Sequence, residues 1–265
     1  SERIEGLVGF YSEATIVSKM SDPTIVKIYD VGEHNDNHFI SMEYIPGSSL
    51  YSLLKAGLPF EIDAAVDIVK KICQALSHIH EKHIIHRDLK PGNIMVTSTE
   101  QGQEVKVIDF GLSQVKDLAV ITGEDEVVGT FSYMSPEQAG VIKTGVDERS
   151  DLYSLGVIMY QLLTGRLPFT GDSVSAIIHQ HIAKIPPAPS EINHRLPVIL
   201  DRIVLKLLEK EPEKRYQSAR GLQRDLERFQ RGDFSFVPGS DDQFVKLNFR
   251  THLVGREREY GTLKG

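Results

Sequence analysis

The stretch that most constrains this chain is HIIHRDLKPGNIMV, residues 83–96. Two apolar edges, Ile84–Ile85 and Ile94–Val96, flank a polar loop. Pro91 and Gly92 keep that loop out of a helix. Within six residues it carries a carboxylate (Asp88), an ammonium (Lys90) and an amide (Asn93). Downstream, VKVIDFGL ends a strand-like run on Asp109 and turns at Gly111. Phosphoryl transfer needs such a set of groups. One carboxylate orients the attacking hydroxyl and accepts its proton. A cation offsets charge on the moving group, and hard oxygens hold Mg²⁺ on the nucleotide phosphates.

A polar turn followed by an acidic strand end is the bland reading, and each element alone is common. Together they match H-R-D-L-x-x-x-N followed by D-F-G. A chance match to those eight fixed positions is on the order of one in 10¹⁰. On these motifs the chain resembles a eukaryotic-type serine/threonine protein kinase domain, over roughly residues 1–230. The resemblance implies an α+β, two-lobed protein-kinase-like fold with ATP in the cleft, here a partial small sheet lobe plus a complete helical lobe. It implies that Asp88 is the catalytic base, that Lys90 contacts the transferred phosphoryl, and that Asn93 and Asp109 are the Mg²⁺ ligands. Lys90 two residues after Asp88 is the serine/threonine pattern rather than the tyrosine one.

Other assignments follow from the same likeness. FISMEYIPG resembles the hinge between lobes, with Met42 as gatekeeper and adenine bonded by the Glu43 carbonyl and the Ile45 N–H. Met95 would lie beneath the adenine ring. Ordinary core filling by Met42 and Met95 is compatible with those roles. GTFSYMSPEQ resembles the end of an activation segment, with Thr130 contacting Asp88 and Lys90. Phe131 and Ser135 stand where the family usually has proline and alanine. Both departures bear on peptide docking rather than on chemistry. Thr122 is a candidate phospho-acceptor that Arg87 would pair with. Glu124, Asp125 and Glu126 beside it fit a solvated acidic loop equally well. Asp151 would anchor the catalytic loop from below, or simply serve a helix N-terminus. Arg215 matches the arginine that pairs with Glu137. Without the family it reads as a surface residue.

GFYSEATIVSKM, residues 9–20, sorts Phe10, Ala14, Ile16, Val17 and Met20 onto one helical arc. Glu13 interrupts that arc, and a core-facing carboxylate needs a cation. In the kinase likeness it pairs with a strand lysine that holds the α- and β-phosphates. The sequence contains neither that lysine nor a Gly-rich phosphate loop. The expectation is a domain truncated at its N-terminus, with a pseudokinase-like regulatory or interaction module as the alternative. As a fragment the chain is expected to bind ATP poorly. A small-molecule kinase is disfavoured by the activation segment at 111–137, which protein kinases use to hold peptides.

Two strand-like runs, Val26–Val31 and His38–Glu43, are joined by the turn GEHNDN. Short strands are expected at Ile94–Val96 and Val105–Ile108. Helices are expected through residues 60–82 and at Asp151–Leu163, Val174–Ala183, Pro197–Leu208 and Ser218–Gln230. The resulting division is 1–45 for the remaining small lobe, 46–230 for the helical lobe, 231–250 for a linker and 251–265 for a new module. LVGREREYGTLKG in that last stretch resembles the entry to an AAA-type ATPase. The likeness extends to bacterial-type fusions of kinase, ATPase and sensor histidine kinase, whose modules would be intramolecular partners downstream.

The net charge of −7 argues against nucleic acid and anionic membrane as partners. The longest apolar run, Leu152–Leu163, is too short for a membrane span. The lone Cys73 sits in an apolar helical stripe and reads as packing. With no signal-peptide pattern at the start, the location is expected to be cytoplasmic. Partners are then ATP and a protein bearing Ser or Thr.

Overall fold

The computed structural model describes residues 14–34, 37–55, 59–100, 102–110, 129, 131–140 and 145–242. Glu13, Thr122, Thr130 and the 251–265 stretch lie outside the described residues. The small lobe contributes a helical turn at 14–18 and the ribbon β1 (Ile28–His34) and β2 (Asn37–Met42). In the helical turn Ala14 and Val17 are buried, as the arc predicts, but Ile16 is 37% exposed. A single described turn presents only a narrow face to the core.

The ribbon runs farther than its turn residues predicted. Its ladder continues through Gly32↔Phe39, Glu33↔His38 and His34↔Asn37, so most of GEHNDN is paired strand. Gly32 makes this possible, because a β-carbon there would lie 2.8 Å from the Phe39 ring. The aromatic ring covers the glycine, and cross-strand packing outweighs turn propensity.

A second sheet joins β3 (Ser48–Ser49), β4 (Ile94–Thr99) and β5 (Gly102–Val107) in an antiparallel order. Backbone hydrogen bonds join the small lobe to it. Val26 N–H donates to the Val107 carbonyl, and Val107 N–H donates to the Thr24 carbonyl. The strand that ends just before Asp109 is therefore fixed by both lobes.

The helical lobe contains α1 (Leu50–Leu54), α2 (Ile62–His80), α3 (Glu148–Thr164), α4 (Val174–Ala183), α5 (Pro189–Ile192), α6 (Val198–Leu207) and α7 (Ala219–Gln230). Single-turn 3₁₀ segments lie at Pro91–Asn93 and Pro212–Lys214. Helix starts follow their caps. Asp147, Ser173 and Ser218 each accept from a backbone N–H two or three residues on. Of the helically spaced apolar set Ile62, Val66, Val69, Cys73, Leu76 and Ile79 in α2, all are buried except Ile62 at its start, which is partly buried. Burial raises the Cys73 thiol far above its ordinary range, which makes it an inert packing group. Helix α3 is buried on nearly every side, so its sequence shows no polar face. Gly156 lets α3 approach α6, since a β-carbon there would lie 2.6 Å from Leu207 Cβ. Among the described residues no helix is long and apolar enough to cross a membrane.

The described part of the predicted linker is not a free connector. Residues 231–242 fold back onto α7. Phe236 is buried, and the Arg228 guanidinium lies 4.3 Å from its ring centre. The Asp242 carboxylate accepts from the Gln217 and Ser218 N–H groups at 2.6 and 3.0 Å and from the Ser218 hydroxyl at 2.5 Å. It occupies the space where Gly221 has no side chain. Asp225 accepts from the Gly239 N–H at 2.6 Å and from the Tyr216 hydroxyl at 2.8 Å. Gly, Pro and Ser suggested a linker. Two long-range carboxylate contacts and one buried ring hold the segment instead.

Candidate active site

The centre of the site is the loop between α2 and β4. Asp151, buried at the start of α3, takes hold of it from beneath. Its Oδ2 accepts from the His86 N–H at 2.8 Å and its Oδ1 from the Arg87 N–H at 2.9 Å. His80, from the last turn of α2, places Nε2 2.8 Å from the same Oδ2. Burial alone would raise the Asp151 pKa, but these donors and the nearby imidazoles hold it below the ordinary carboxylate value. Asp151 therefore does more than serve its own helix.

His86 is also fully buried. Its Nε2 lies 3.1 Å from the Ile108 carbonyl, and its Nδ1 accepts from the Asp88 N–H at 3.4 Å. Those partners require the neutral tautomer with hydrogen on Nε2. Burial lowers its pKa, outweighing the nearby carboxylates, which is consistent with a neutral ring. The ring packs on Phe110 with centroids 5.0 Å apart. One imidazole thus locks the loop that bears Asp88 to the strand end that bears Asp109.

Three polar side chains converge above this support. Lys90 Nζ lies 3.0 Å from Asp88 Oδ2. Asn93 Nδ2 donates to the Asp88 carbonyl at 2.8 Å and to its Oδ2 at 3.2 Å. With its amide nitrogen so engaged, Asn93 has Oδ1 as its hard-oxygen donor for a cation. Ile108 N–H donates to the Asn93 carbonyl at 2.9 Å, which places the Asp109 turn beside it. Arg87 and Asp109 both have positive φ, 64° and 61°. Non-glycine residues hold that conformation only where their surroundings impose it, and such residues cluster at functional sites.

Met42, at the end of β2, lines a small recess with Ala14, Ile28, Ile40, Asp109 and Phe110. Met95 projects from β4 on the face opposite the buried Ile94 and Val96. Glu43 contributes a side-chain role that its residue type did not announce. Its Oε1 accepts from the Lys27 N–H at 2.8 Å and from Lys106 Nζ at 2.7 Å, fixing the segment between lobes. Burial opposes ionisation of Glu43, but these donors hold its pKa below the ordinary value. Ile45, two residues on, packs against the core.

Beneath the site lies a buried ion pair. Arg215 Nη1 and Nη2 meet Glu137 Oε1 and Oε2 at 2.7 and 2.8 Å, with both side chains fully buried. A surface reading of Arg215 from its residue type alone is overturned, because all its donors find acceptors inside. The same support fixes residues 131–140. The Tyr133 carbonyl accepts from the Ser154 hydroxyl at 2.8 Å, and the Tyr133 hydroxyl donates to Gln161 at 2.6 Å.

The model of the protein kinase domain family matches residues 3–226. The chain belongs to the protein kinase domain family. The chain is 41% identical to the serine/threonine-protein kinase PknB of Mycobacterium leprae over 228 residues, 84% of this chain and 36% of that protein. Its identity to the serine/threonine-protein kinase PrkC of Bacillus subtilis is 37% over 218 residues, 82% of this chain and 33% of that one. It therefore spans about a third of the length of these curated relatives. Among solved structures, that of Rad53 1-466 in complex with AMP-PNP superposes with a TM-score of 0.68 at 26% identity, covering 82% of this chain and 54% of that one. The two-lobed α+β kinase fold is thus shared. The motifs around Asp88 and Asp109 had announced the family. His80 as a partner of Asp151, and the Glu43 side chain as a hinge tie, carried no sequence signal.

Proposed function

We propose that this chain is the catalytic domain of a protein serine/threonine kinase that transfers the γ-phosphoryl group of ATP to serine or threonine hydroxyls. The observation that carries the proposal is the Asp88 carboxylate, held by Lys90 and Asn93 on a loop that Asp151 and His86 fix against the Asp109 turn. Asp88 orients the substrate hydroxyl and accepts its proton as the new O–P bond forms and the bond from the γ-phosphorus to the bridging oxygen breaks, with ADP as the leaving group. Lys90 offsets charge on the transferring phosphoryl, and its proximity to Asp88 puts both at one reacting centre. Mg²⁺ on ATP supplies charge neutralisation along the β- and γ-phosphate oxygens. Asn93 Oδ1 and the Asp109 carboxylate fit that hard cation, since two protein oxygens plus phosphates are its usual environment. Adenine is read by the Glu43 carbonyl and the Ile45 N–H, between Met42 and Met95. Thr130 assists hydroxyl selection, Thr122 is a regulatory phospho-acceptor paired by Arg87, and Glu13 orients the phosphate-binding lysine of the small lobe.

The parent protein is further proposed to be cytoplasmic. Its kinase domain is proposed to be followed by an ATPase module, which the likeness of LVGREREYGTLKG supports, and by a histidine kinase module, which the likeness of the preceding connector to such fusions suggests. The decisive experiment measures phosphate incorporation, with Mg²⁺ and ATP, by the longest natural polypeptide containing these residues. Asp88→Asn should lower turnover at least about a hundredfold. Equal incorporation by variant and wild type removes Asp88 from its role, and no incorporation by the wild type removes the kinase reading.

A further inference from the structure

Ser135 and Gln138 form a reciprocal pair at the turn that ends the substrate-docking segment. Ser135 N–H donates to Gln138 Oε1 at 3.1 Å, and Gln138 N–H donates to Ser135 Oγ at 3.4 Å. The Ser135 hydroxyl also donates to Oε1 at 3.0 Å. This is the reciprocal hydrogen-bond pattern of a capping box, S-x-x-Q, here closing a turn, in which either Glu or Gln could supply the acceptor. The remaining Gln138 atom is not idle. Its Nε2 donates to the Arg87 carbonyl at 2.6 Å. The amide orientation is fixed by its partners, since a carbonyl needs a donor and an N–H needs an acceptor.

Arg87 is the residue immediately before Asp88, and it is left-handed. Its N–H is held by Asp151 and its C=O by Gln138. One clamp comes from α3, the other from the docking turn. Ser135 and Glu137 flank this clamp, and Glu137 is itself immobilised by Arg215. The carbonyl of a residue in a strained conformation has a firm reference point only if both sides of its peptide are tied.

We propose that Gln138 is a positioning residue for the phosphoryl-transfer site. Its side-chain N–H links the peptide-docking turn to the loop that presents Asp88. The donor explains glutamine over glutamate at the last place of the capping box. A docked peptide that orders this turn would thereby set the Asp88 loop as well. The inference rests on the kinase reading above, and its test separates the two.

Four variants are assayed in the longest natural polypeptide containing these residues: Gln138→Glu, Gln138→Met, Ser135→Ala and Asp88→Asn. Gln138→Glu keeps the acceptor for Ser135 and loses the donor to Arg87. It should lower kcat about tenfold, with KM for ATP and peptide within about twofold of wild type. Gln138→Met, neutral and similar in length, should lower kcat at least as far. Ser135→Ala leaves the Arg87 contact and should keep kcat within about twofold. Unchanged kcat in both Gln138 variants while Asp88→Asn is inactive overturns this proposal alone. So does an equal fall in Ser135→Ala, or a loss confined to peptide KM, because either assigns Gln138 to the turn only. Full activity in Asp88→Asn removes Asp88 from its role, and absence of ATP-dependent phosphate incorporation by the wild type overturns the kinase reading itself.

Discussion

Removing the partner of Glu137 should expose how much the base of the site depends on one buried pair. Arg215 makes five hydrogen bonds, matching the five N–H groups of a guanidinium. Two go to Glu137, and three go to the carbonyls of Glu209, Arg149 and Lys210 at 2.7, 3.0 and 3.0 Å. Arg215→Met strips the Glu137 carboxylate of its bidentate cation and leaves it the Ser150 hydroxyl at 2.7 Å. An uncompensated buried charge costs about 3–5 kcal/mol. The orphaned carbonyls add about 1 kcal/mol or more each where water does not reach them. The sum approaches the whole stability of an ordinary domain, about 5–15 kcal/mol. Glu137→Gln is the milder variant, because it keeps the shape and one acceptor. Its cost should be about 3 kcal/mol, since an amide NH₂ then opposes Arg215 Nη2. The double variant should cost at least about 2 kcal/mol less than the sum of the singles, having no stranded charge. Urea unfolding followed by circular dichroism measures all three.

The same pair has a pH signature. Burial would raise the Glu137 pKa, but the Arg215 bonds and charge hold it below the ordinary 4.5. A depressed carboxylate stabilises the fold above its unfolded pKa, and that contribution is lost as pH falls through the lower folded value. The gap in stability between wild type and Glu137→Gln should therefore be constant near neutrality and shrink below about pH 4.5. A Glu137→Gln cost under about 1 kcal/mol, or a cycle additive within about 0.5 kcal/mol, would refute the argument.

Asp151→Asn keeps its volume but turns an amide NH₂ toward one of the donors on His80, His86 and Arg87. Turnover should fall at least about a hundredfold and stability by about 3 kcal/mol, read by phosphate incorporation and urea unfolding. At the C-terminal fold-back, Asp242→Ala removes three bonds and should cost about 1–3 kcal/mol while speeding proteolysis within residues 231–242. Gly221→Ala puts a methyl into the same carboxylate, so the two substitutions combined should cost little more than the worse one alone. Additive losses in urea unfolding would show that Asp242 and Gly221 do not share one contact.

The sequence by itself determined the family, the catalytic-loop motif and most element boundaries. Those are local properties: spacing within a loop, a cap three residues from its N–H, an apolar stripe along α2 or the largely apolar run Leu152–Leu163 in α3. It also placed Cys73 on the apolar, core-facing side of α2, opposite the polar residues of that helix. Where local chemistry was ambiguous, the reading followed composition and missed. GEHNDN looked like a turn, yet the Phe39 ring over Gly32 extends the ribbon into it as far as the pair His34↔Asn37. RGDFSFVPGSDDQ looked like a linker, yet its described part is held by Phe236 and Asp242. Tertiary structure decided who meets whom across long stretches of chain. It set His80 beside Asp151, five acceptors around Arg215, and the Gln138 amide beneath Arg87. The physical reason is that a buried charge or amide is stabilised only by partners that folding delivers, and composition records the demand without naming the supplier.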